Sequence, residues 1–552
     1  MALHVAVVGC GTGGPAAALL LHRAGHRVNV FESVAAPGPV GAGILLQPTG
    51  LAVLGALGLY DKALSLGARI DDLQGRTARG RRIFDLRYRD LAPSCFGLGI
   101  HRGALFSLLF DALRRAGVAL FTGVDIARID AEGERRSRLI DGAGRAYGPF
   151  DLVIVAAGTQ SRLRDATGLV RRDAPYPWGA LWAIIPDPED RYAGRLAQVY
   201  DGAHTMIGIL PTGRLPDNAR GPNLVSFFWS LPRSEHERWR AGDFNAWKRE
   251  VLRLWPGIEP LVARLSNPAA LTFATYSDVR MRRWATDRVV FIGDCAHAMS
   301  PQLGQGANLA LVDALALAEA LAAEAEVPTA LARYCQLRRG HLGFYQAMSR
   351  FLTPLYQSHS RALGALRDWS FGPMARIPYL ERQMLATLAG IKTGLFSAMP
   401  LNEPKRGLTM TIEPAKPGDL DAILALLRAA DLPTGGVDQH LHGFVVARDD
   451  GALAGVAGAE LYDGVGLLRS VAVAAPFRNR GVASKLCEAI HAKAAAQGVQ
   501  ALYLLTTTAQ NYFGARGFEA VPRAVAPPAI QQCEEFRSLC PASAVLMRRN
   551  LA

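Results

Sequence analysis

Three stretches of this 552-residue chain gather the residue types that hold a phosphate-bearing, electron-rich ligand. Gly9-Cys10-Gly11-Thr12-Gly13-Gly14 fits GxGxxG, between the apolar strand at 4–8 and a helix predicted from Pro15 to Ala24. Such a turn offers backbone N–H groups and the positive end of a helix to a pyrophosphate, and glycine lets the backbone come close. Glu32 lies 18 residues beyond Gly14, at the end of a second apolar strand, where a ribose-binding carboxylate belongs. The second stretch runs from Gly293 and Asp294 through Pro301, Gly304 and Gly306 to Asn308, between the apolar run at 289–292 and an Ala/Leu-rich helix from about Leu309 to Leu321. Its glycines admit a ligand, the helix aims positive charge at it, and Asp294 is placed to accept hydrogen bonds from hydroxyls. In the third, Ile100-His101-Arg102 leads a helix from Leu105 to Ala116, and Arg102 is a natural counter-ion for phosphate.

These residues need a scaffold, and the order of apolar runs supplies one. Short, continuously apolar strands at 4–8, 27–31, 151–158 and 289–292 belong in a buried parallel sheet. Gly41-Ala42-Gly43-Ile44 reads as a second close approach to the cofactor. From about Pro175 to Thr275 the pattern turns to alternating strands (179–185, 197–210, 223–231) bearing Trp178, Trp182, Phe227, Phe228 and Trp229, read as core rather than ligand wall. The expected fold class is α/β: a doubly wound, Rossmann-like nucleotide domain with an inserted antiparallel-sheet domain, helices over 331–395, and a separate C-terminal α/β domain.

The bulk numbers narrow the function classes. A chain of this length needs more than one core. Its net charge is +13, but residues 408–552 hold 13 basic and 13 acidic residues, so the excess sits in the first 407. The arginines there are dispersed, which argues against a nucleic-acid partner and for steering of anionic small molecules. No run has the length and apolarity of a membrane span in sequence, and no export signal opens the chain. Seven cysteines without CxxC spacing predict reduced thiols, a cytoplasmic location and no metal site. Small-molecule substrates are the expected partners, with a homodimer left open.

Taken together, Gly9, Gly11, Gly14 and Glu32, Arg102, and Gly293-Asp294 with Pro301, Gly304, Gly306 and Asn308 resemble the single-component FAD-dependent aromatic hydroxylases of the para-hydroxybenzoate hydroxylase type, over about residues 1–395. The resemblance implies FAD held by these residues, reduction by NADH or NADPH, and insertion of one oxygen atom into an aromatic or other electron-rich molecule. It implies FAD-binding segments at about 1–70, 99–170 and 280–330, a substrate sheet at about 71–98 and 171–279, and a helical end at 331–395. Where the family's third motif carries Ala-Asp-Gly, this chain reads Ala156-Ala157-Gly158, so a carboxylate is missing, while Ser161 and Arg164 match. No catalytic acid or base is assigned in this half, and His297 is read as structural.

After a linker at 396–409, residues 410–552 begin again with strand and helix patterns. A strand at 467–473, with Val471 and Val473 near its end, leads to Arg478, Arg480, Gly481, Val482 and Ala483 and then a helix from Ser484 to Gln497. The RxxGxG/A form of this turn resembles the acyl-CoA site of the GNAT acetyltransferases, which implies acetyl-CoA on these residues. Phe513 stands where the family often has a tyrosine acid, which leaves Tyr512 as the candidate. The segments at 432–437, 506–508 and 535–544 resemble the arsenic-resistance N-acetyltransferase subfamily, and Cys540 is read as structural. The whole chain reads as a flavin monooxygenase fused to an N-acetyltransferase; the alternative is a flavin oxidoreductase without oxygen insertion, carrying a non-catalytic acyl-CoA-binding module.

Overall fold

The computed structural model describes residues 2–551 apart from 39–40, 134, 219–220, 402–409, 450, 478–480, 515 and 542. The chain divides into two compact units, Met1–Gly407 and Leu408–Ala552.

In the first unit five parallel strands stand in the order Val289–Phe291, Leu152–Val155, His4–Val8, Arg27–Glu32, Ala119–Thr122. The two central strands are apolar and almost wholly buried because the helix Gly13–Arg23 and a three-stranded antiparallel sheet (Ile126–Glu132, Arg136–Asp141, Ala146–Phe150) pack against the parallel sheet. The helix Gly13–Arg23 begins with small residues for a steric reason: a Cβ on Gly14 would lie 2.1 Å from the Gly9 carbonyl oxygen. Gly9 itself has φ +104°, and its Cβ would lie 2.5 Å from the Ala156 oxygen. Turn, helix and neighbouring strand therefore meet at van der Waals limits that only glycine satisfies.

A nine-stranded sheet forms the second layer, including Gly43–Leu46, Ala68–Thr77, Gly97–His101, Val170–Pro186, Leu224–Pro232 and Thr272–Met281. It is antiparallel apart from one parallel pairing, Gly194–Asp201 against Ala68–Thr77. Strand alternation sorts its aromatics: Phe227 and Trp229 pack on Trp247 in a core of their own, while Phe228 points to the other face and meets Trp182 at 4.9 Å.

Helices Val327–Tyr356, Arg361–Met374 and Pro378–Leu388 complete the unit. The predicted linker begins late: the Met399 N–H donates to Ile391 O and the Thr393 N–H to Ser397 O, folding 396–399 back on this unit, while residues 402–409 lie outside the described ones. Among the described residues one helix, Gly306–Ala323, has the length and apolarity of a membrane span, and it packs in the core against Gly13–Arg23 and Val327–Tyr356.

The second unit is a seven-stranded sheet in the order Met410–Pro414, Val445–Asp449, Ala452–Leu461, Val465–Val473, Ala501–Thr506, Val545–Asn550, Glu519–Ala520. All neighbours are antiparallel except Val465–Val473 with Ala501–Thr506, which pair only over 465–467 against 501–503 and then part. Helices Leu420–Ala429 and Val482–Ala496 pack against it.

Candidate functional site

The first unit encloses a cavity of about 1680 Å³ that reaches from the glycine-rich turn to the large sheet. Gly9, Gly11, Glu32, Arg102, Asp294, Pro301, Gly304 and Gly306 all line it. A Cβ placed on Gly11 meets no protein atom within 4 Å, so this glycine faces open space where a pyrophosphate would pass. The Glu32 carboxylate accepts from the Cys10 N–H at 2.8 Å and from the Val34 N–H at 2.9 Å, which holds it at the end of its strand beside that space. Arg102 is the first residue of the helix Arg102–Arg115, whose preceding residue His101 accepts the Gly103 N–H on Nδ1. Gly304 adopts φ +61° to turn the chain into the helix Gly306–Ala323, and exposed Asp294 sits beside that helix start. With no acid in its first turn, the helix leaves its positive end to the cavity. The residues present therefore fit FAD: an open cradle at Gly11, a carboxylate at the second strand end, and a helix N-terminus with a free carboxylate further along.

Two predicted cofactor contacts have other work. Asn308 is fully buried: its Oδ1 accepts the Gln47 N–H, and its Nδ2 donates to Leu45 O and Gly304 O. It staples the 45–47 segment to the loop and does not reach the cavity. Gly14 is likewise a packing glycine one step behind the cavity wall.

Behind the 293–306 loop lies a buried network that motif reading missed. Asp313 accepts from the Gly293 N–H at 2.8 Å, from His297 Nε2 at 2.6 Å and from Arg338 Nε at 2.7 Å. Arg338 also donates to His341 Nδ1, and His341 Nε2 donates to Gly390 O at 2.7 Å. Burial alone would raise the Asp313 pKa, but the neighbouring His297 and Arg338 charges with the Gly293 N–H hold it well below the usual carboxylate range. Burial and the Arg338 charge push His341 down to about 3, so it stays neutral, in keeping with one ring nitrogen accepting and the other donating. His297 is structural, as the sequence suggested: it is buried and spent on Asp313.

Ala157 and Gly158 line the cavity where the family's acid is absent. Buried Arg164 donates instead to Thr159 O and to the Asp173 carboxylate, which comes from the long strand Val170–Pro186. On the far side the cavity is walled by side chains of the large sheet and the closing helices, among them Trp182 and Phe228. These two had been expected in a core; period-two alternation fixes which residues share a face but not which face is lined by ligand.

In the second unit the parting of Val465–Val473 from Ala501–Thr506 leaves a cleft at Val471 and Val473, both half-buried. Gly481, with φ +78°, is the N-cap of Val482–Ala496; the Val482 side chain is core, and Ala483 is half-buried. Arg478 and Arg480 lie outside the described residues. The Tyr512 ring lies under the Arg516 guanidinium at 3.6 Å, with its hydroxyl near Ser484, and burial raises its pKa. Phe513 fills the core against Phe518. Burial and then Glu535 push the Cys540 thiol up to about 11, and no cluster of His, Cys, Asp and Glu among the described residues could hold a metal.

Arg469 organises this unit. It is fully buried, bonds Glu460, reaches Glu535 at 2.8 Å and donates to Gly435 O at 2.7 Å, tying the 432–437 loop to the 535–540 tail. Arg469→Ala strands two buried carboxylates, and loss of about 3–5 kcal/mol from the unfolding free energy of this unit is expected in a urea melt. A change below 1 kcal/mol would mean that the triad contributes little.

Residues 2–342 match the FAD binding domain family, and residues 415–518 match the acetyltransferase (GNAT) family. The probable 2-heptyl-3-hydroxy-4(1H)-quinolone synthase AqdB2 of Rhodococcus erythropolis is 30% identical over 378 residues, covering 67% of this chain and 91% of its own. The 6-hydroxynicotinate 3-monooxygenase of Bordetella bronchiseptica is 28% identical over 331 residues, 57% of this chain and 81% of its own. Among solved structures, Klebsiella pneumoniae HpxO with FAD and uric acid aligns with TM-score 0.59 at 19% identity, covering 70% of this chain and 97% of that one. P. aeruginosa PqsL with 2-aminobenzoylacetate aligns with TM-score 0.59 at 22% identity, covering 66% and 100%. These two likenesses show the fold. The match over 2–342, together with relatives that span the same stretch, makes this chain a member of the FAD-dependent aromatic monooxygenase family with a GNAT acetyltransferase domain at its C-terminal end.

Proposed function

We propose that the first unit is an FAD- and NAD(P)H-dependent monooxygenase that hydroxylates an electron-rich aromatic molecule, and that the second is an acetyl-CoA-dependent N-acetyltransferase. The observation that carries the first reading is the continuity of one cavity from Gly11 and Glu32, past Asp294 and Gly304–Gly306, to Trp182 and Phe228. Bound FAD supplies the redox chemistry, passing two electrons from NAD(P)H to O₂ so that one oxygen atom enters the substrate and the other leaves as water. The chain does the rest. Gly11 admits the pyrophosphate, Arg102 balances its charge, Glu32 accepts from ribose hydroxyls, and Asp294 accepts from the polyol chain. The N-terminus of Gly306–Ala323 stabilises negative charge that develops beside it, worth roughly 1–2 kcal/mol when partly buried. The apolar far wall keeps water from the reacting atoms. The hydroxylated heteroaromatic rings in the names of the quinolone synthase and the hydroxynicotinate monooxygenase support a ring as the target.

The experiment is a turnover under ¹⁸O₂. A yellow protein that consumes NAD(P)H with an aromatic compound and yields a product carrying one ¹⁸O atom is expected; NAD(P)H oxidation without incorporation would favour a flavin oxidoreductase instead.

For the second unit the cleft between the parted strands and the N-terminus of Val482–Ala496 supports acyl-CoA binding, Val471 and Val473 lining the cleft and the Gly481–Ala483 turn with Arg478 and Arg480 meeting the pyrophosphate. Tyr512, its pKa raised by burial, keeps a proton to give to the leaving thiolate. Acetyl-CoA-dependent thiol release with amino compounds, amino-acid-like organoarsenicals among them, is the assay. Tyr512→Phe is expected to lower kcat about 100-fold with KM for acetyl-CoA unchanged; an unchanged kcat removes Tyr512 from the chemistry. Fusion of the two activities raises the effective concentration of a shared intermediate, and the two halves supplied separately are expected to run a coupled assay more slowly than the intact chain.

A further inference from the structure

The far half of the flavin cavity carries no charge. Among the described residues, the charged ones that line the cavity are Glu32, Arg102, Asp125, Arg162 and Asp294. Four of these follow strands of the parallel sheet or end one, and Arg102 opens the helix packed near Gly13–Arg23. None stands on the large sheet or on the three closing helices. Those elements contribute mainly aliphatic and aromatic side chains, and two of these, Phe351 and Met374, are also 69% and 38% exposed, so they mark where the cavity meets the surface. A carboxylate seated against this wall would give up its hydration and find no cation in exchange.

That half also carries neutral polar side chains: Tyr200 donates to Gln198, Gln383 accepts from Lys392, Thr387 donates to Gln383 O within its own helix, and Tyr276 and Gln357 keep unspent capacity. The Tyr276 hydroxyl accepts from Trp182 Nε1 at 3.2 Å, which leaves its own proton to donate, and burial pushes its pKa up to about 12. Gln357 lines the cavity at 4% exposure, and among the described residues its side-chain oxygen finds no hydrogen-bond partner. A buried amide oxygen left unpaired is costly, and a ligand that brings a donor to it recovers that cost. Tyr276 and Gln357 together offer one donor and one acceptor, the complement of a ring that carries a hydroxyl or N–H and no net charge.

We propose that the flavin site takes a neutral aromatic substrate with an apolar tail and no carboxylate, the Gln357 carboxamide accepting from its ring hydroxyl or N–H and the tail running out between Phe351 and Met374. This rests on the monooxygenase reading given above. The probes are 4-hydroxybenzoate and its methyl, butyl and heptyl esters, which share one ring and hydroxyl and differ in charge and tail. Binding to the FAD-loaded full-length chain is read by equilibrium dialysis, independently of turnover. The free acid is expected to bind at least about 100-fold more weakly than the butyl ester. Affinity is expected to rise about three- to fourfold per methylene from methyl to heptyl. Gln357→Leu is expected to weaken heptyl 4-hydroxybenzoate on the order of tenfold while leaving heptyl 4-methoxybenzoate, which lacks the donor, within about twofold.

The free acid binding as tightly as the butyl ester, a flat dependence on chain length, or no ester binding at its solubility limit overturns the substrate class. Equal losses for the hydroxy and methoxy esters overturn the Gln357 contact. The two readings fail separately. Preferred binding and ¹⁸O₂ oxygenation of the free acid would sink the substrate class and leave the monooxygenase standing, whereas tight ester binding with no oxygen incorporated from any aromatic would do the reverse.

Discussion

Gly11→Ala is expected to fold normally and lose its flavin, while Gly14→Ala, three residues away in the same turn, is expected to lose the fold. The geometry separates the two roles that one sequence motif merges. A methyl on Gly11 points into the cavity and meets no protein atom within 4 Å, so the protein stripped of flavin should melt within about 2 °C of the parent. The same methyl occupies the space through which a pyrophosphate must pass, and the FAD Kd is expected to rise at least about 100-fold, roughly 3 kcal/mol. A methyl on Gly14 lies 2.1 Å from the Gly9 carbonyl oxygen, a backbone atom that cannot swing away. Relief requires the helix Gly13–Arg23 to lift from the sheet, at a cost of about 3 kcal/mol or more. Circular dichroism melts of the stripped proteins and flavin-fluorescence titrations distinguish the two outcomes. If Gly11→Ala holds FAD as tightly as the parent, the pyrophosphate does not cross that turn, and the assignment of the cofactor half of the cavity falls with it.

The contrast also shows what could be read in the sequence and what could not. Strand, glycine turn and helix at 4–24 and at 289–321 are local patterns, set by a run of apolar residues, a steric demand for glycine and a 3.6-residue period, and each is written within about 30 residues of chain. The same holds for the strand and helix around Gly481. What failed to show was anything whose partner lies far away. Asn308 resembled a cofactor contact because it sits in the right loop, yet the amide turns inward to meet Leu45 O and Gln47 N, about 260 residues earlier. Asp313 gave one signal that went unused: an acid on the buried face of an Ala/Leu-rich helix, which requires a buried partner. That partner, Arg338, stands on the next helix, and no spacing rule connects the two. Arg469 is the same case in the second unit, an arginine inside an apolar strand whose carboxylates lie on the neighbouring strand and in the tail. Trp182 and Phe228 show the limit of periodicity: the sequence places them in a core with Trp178, Phe227 and Trp229, whereas they meet across neighbouring strands on a face that the closing helices turn into a cavity.

The buried network behind the flavin loop should make the first unit acid-labile, with a sign fixed by its two shifted groups. His341 is pushed down to about 3 in the fold and returns to roughly 6.5 in the unfolded chain, so between these values the unfolded state binds the extra proton. The stability it contributes is complete above pH 6.5 and drains as the pH falls, by roughly 3 kcal/mol between pH 7 and pH 4. Asp313, held below its unfolded value near 4, adds a second loss that begins only under about pH 4. Guanidinium melts of the first unit at pH 7 and pH 4.5 are expected to show the His341 loss, with smaller losses of the same sign from His4 and His26, whose pKa values burial also lowers, and a midpoint unchanged over that interval would mean that His341 is charged in the fold. Asp313→Asn tests the other member at neutral pH. The amide keeps the shape but leaves Arg338 and His297 without a buried anion, at a cost of about 3–5 kcal/mol and a fall in Tm on the order of 5–10 °C. Because the Gly293 N–H and His297 both hang on this carboxylate, the loop that presents Asp294 and Gly304 loosens too, and FAD affinity should fall in the same variant. Removing the cation as well separates charge from packing. If Asp313→Asn with Arg338→Met is more stable than Asp313→Asn alone, the stranded guanidinium was the source of the loss; if the double variant is worse by the sum of both changes, Arg338 contributes by filling space and the ion pair is incidental.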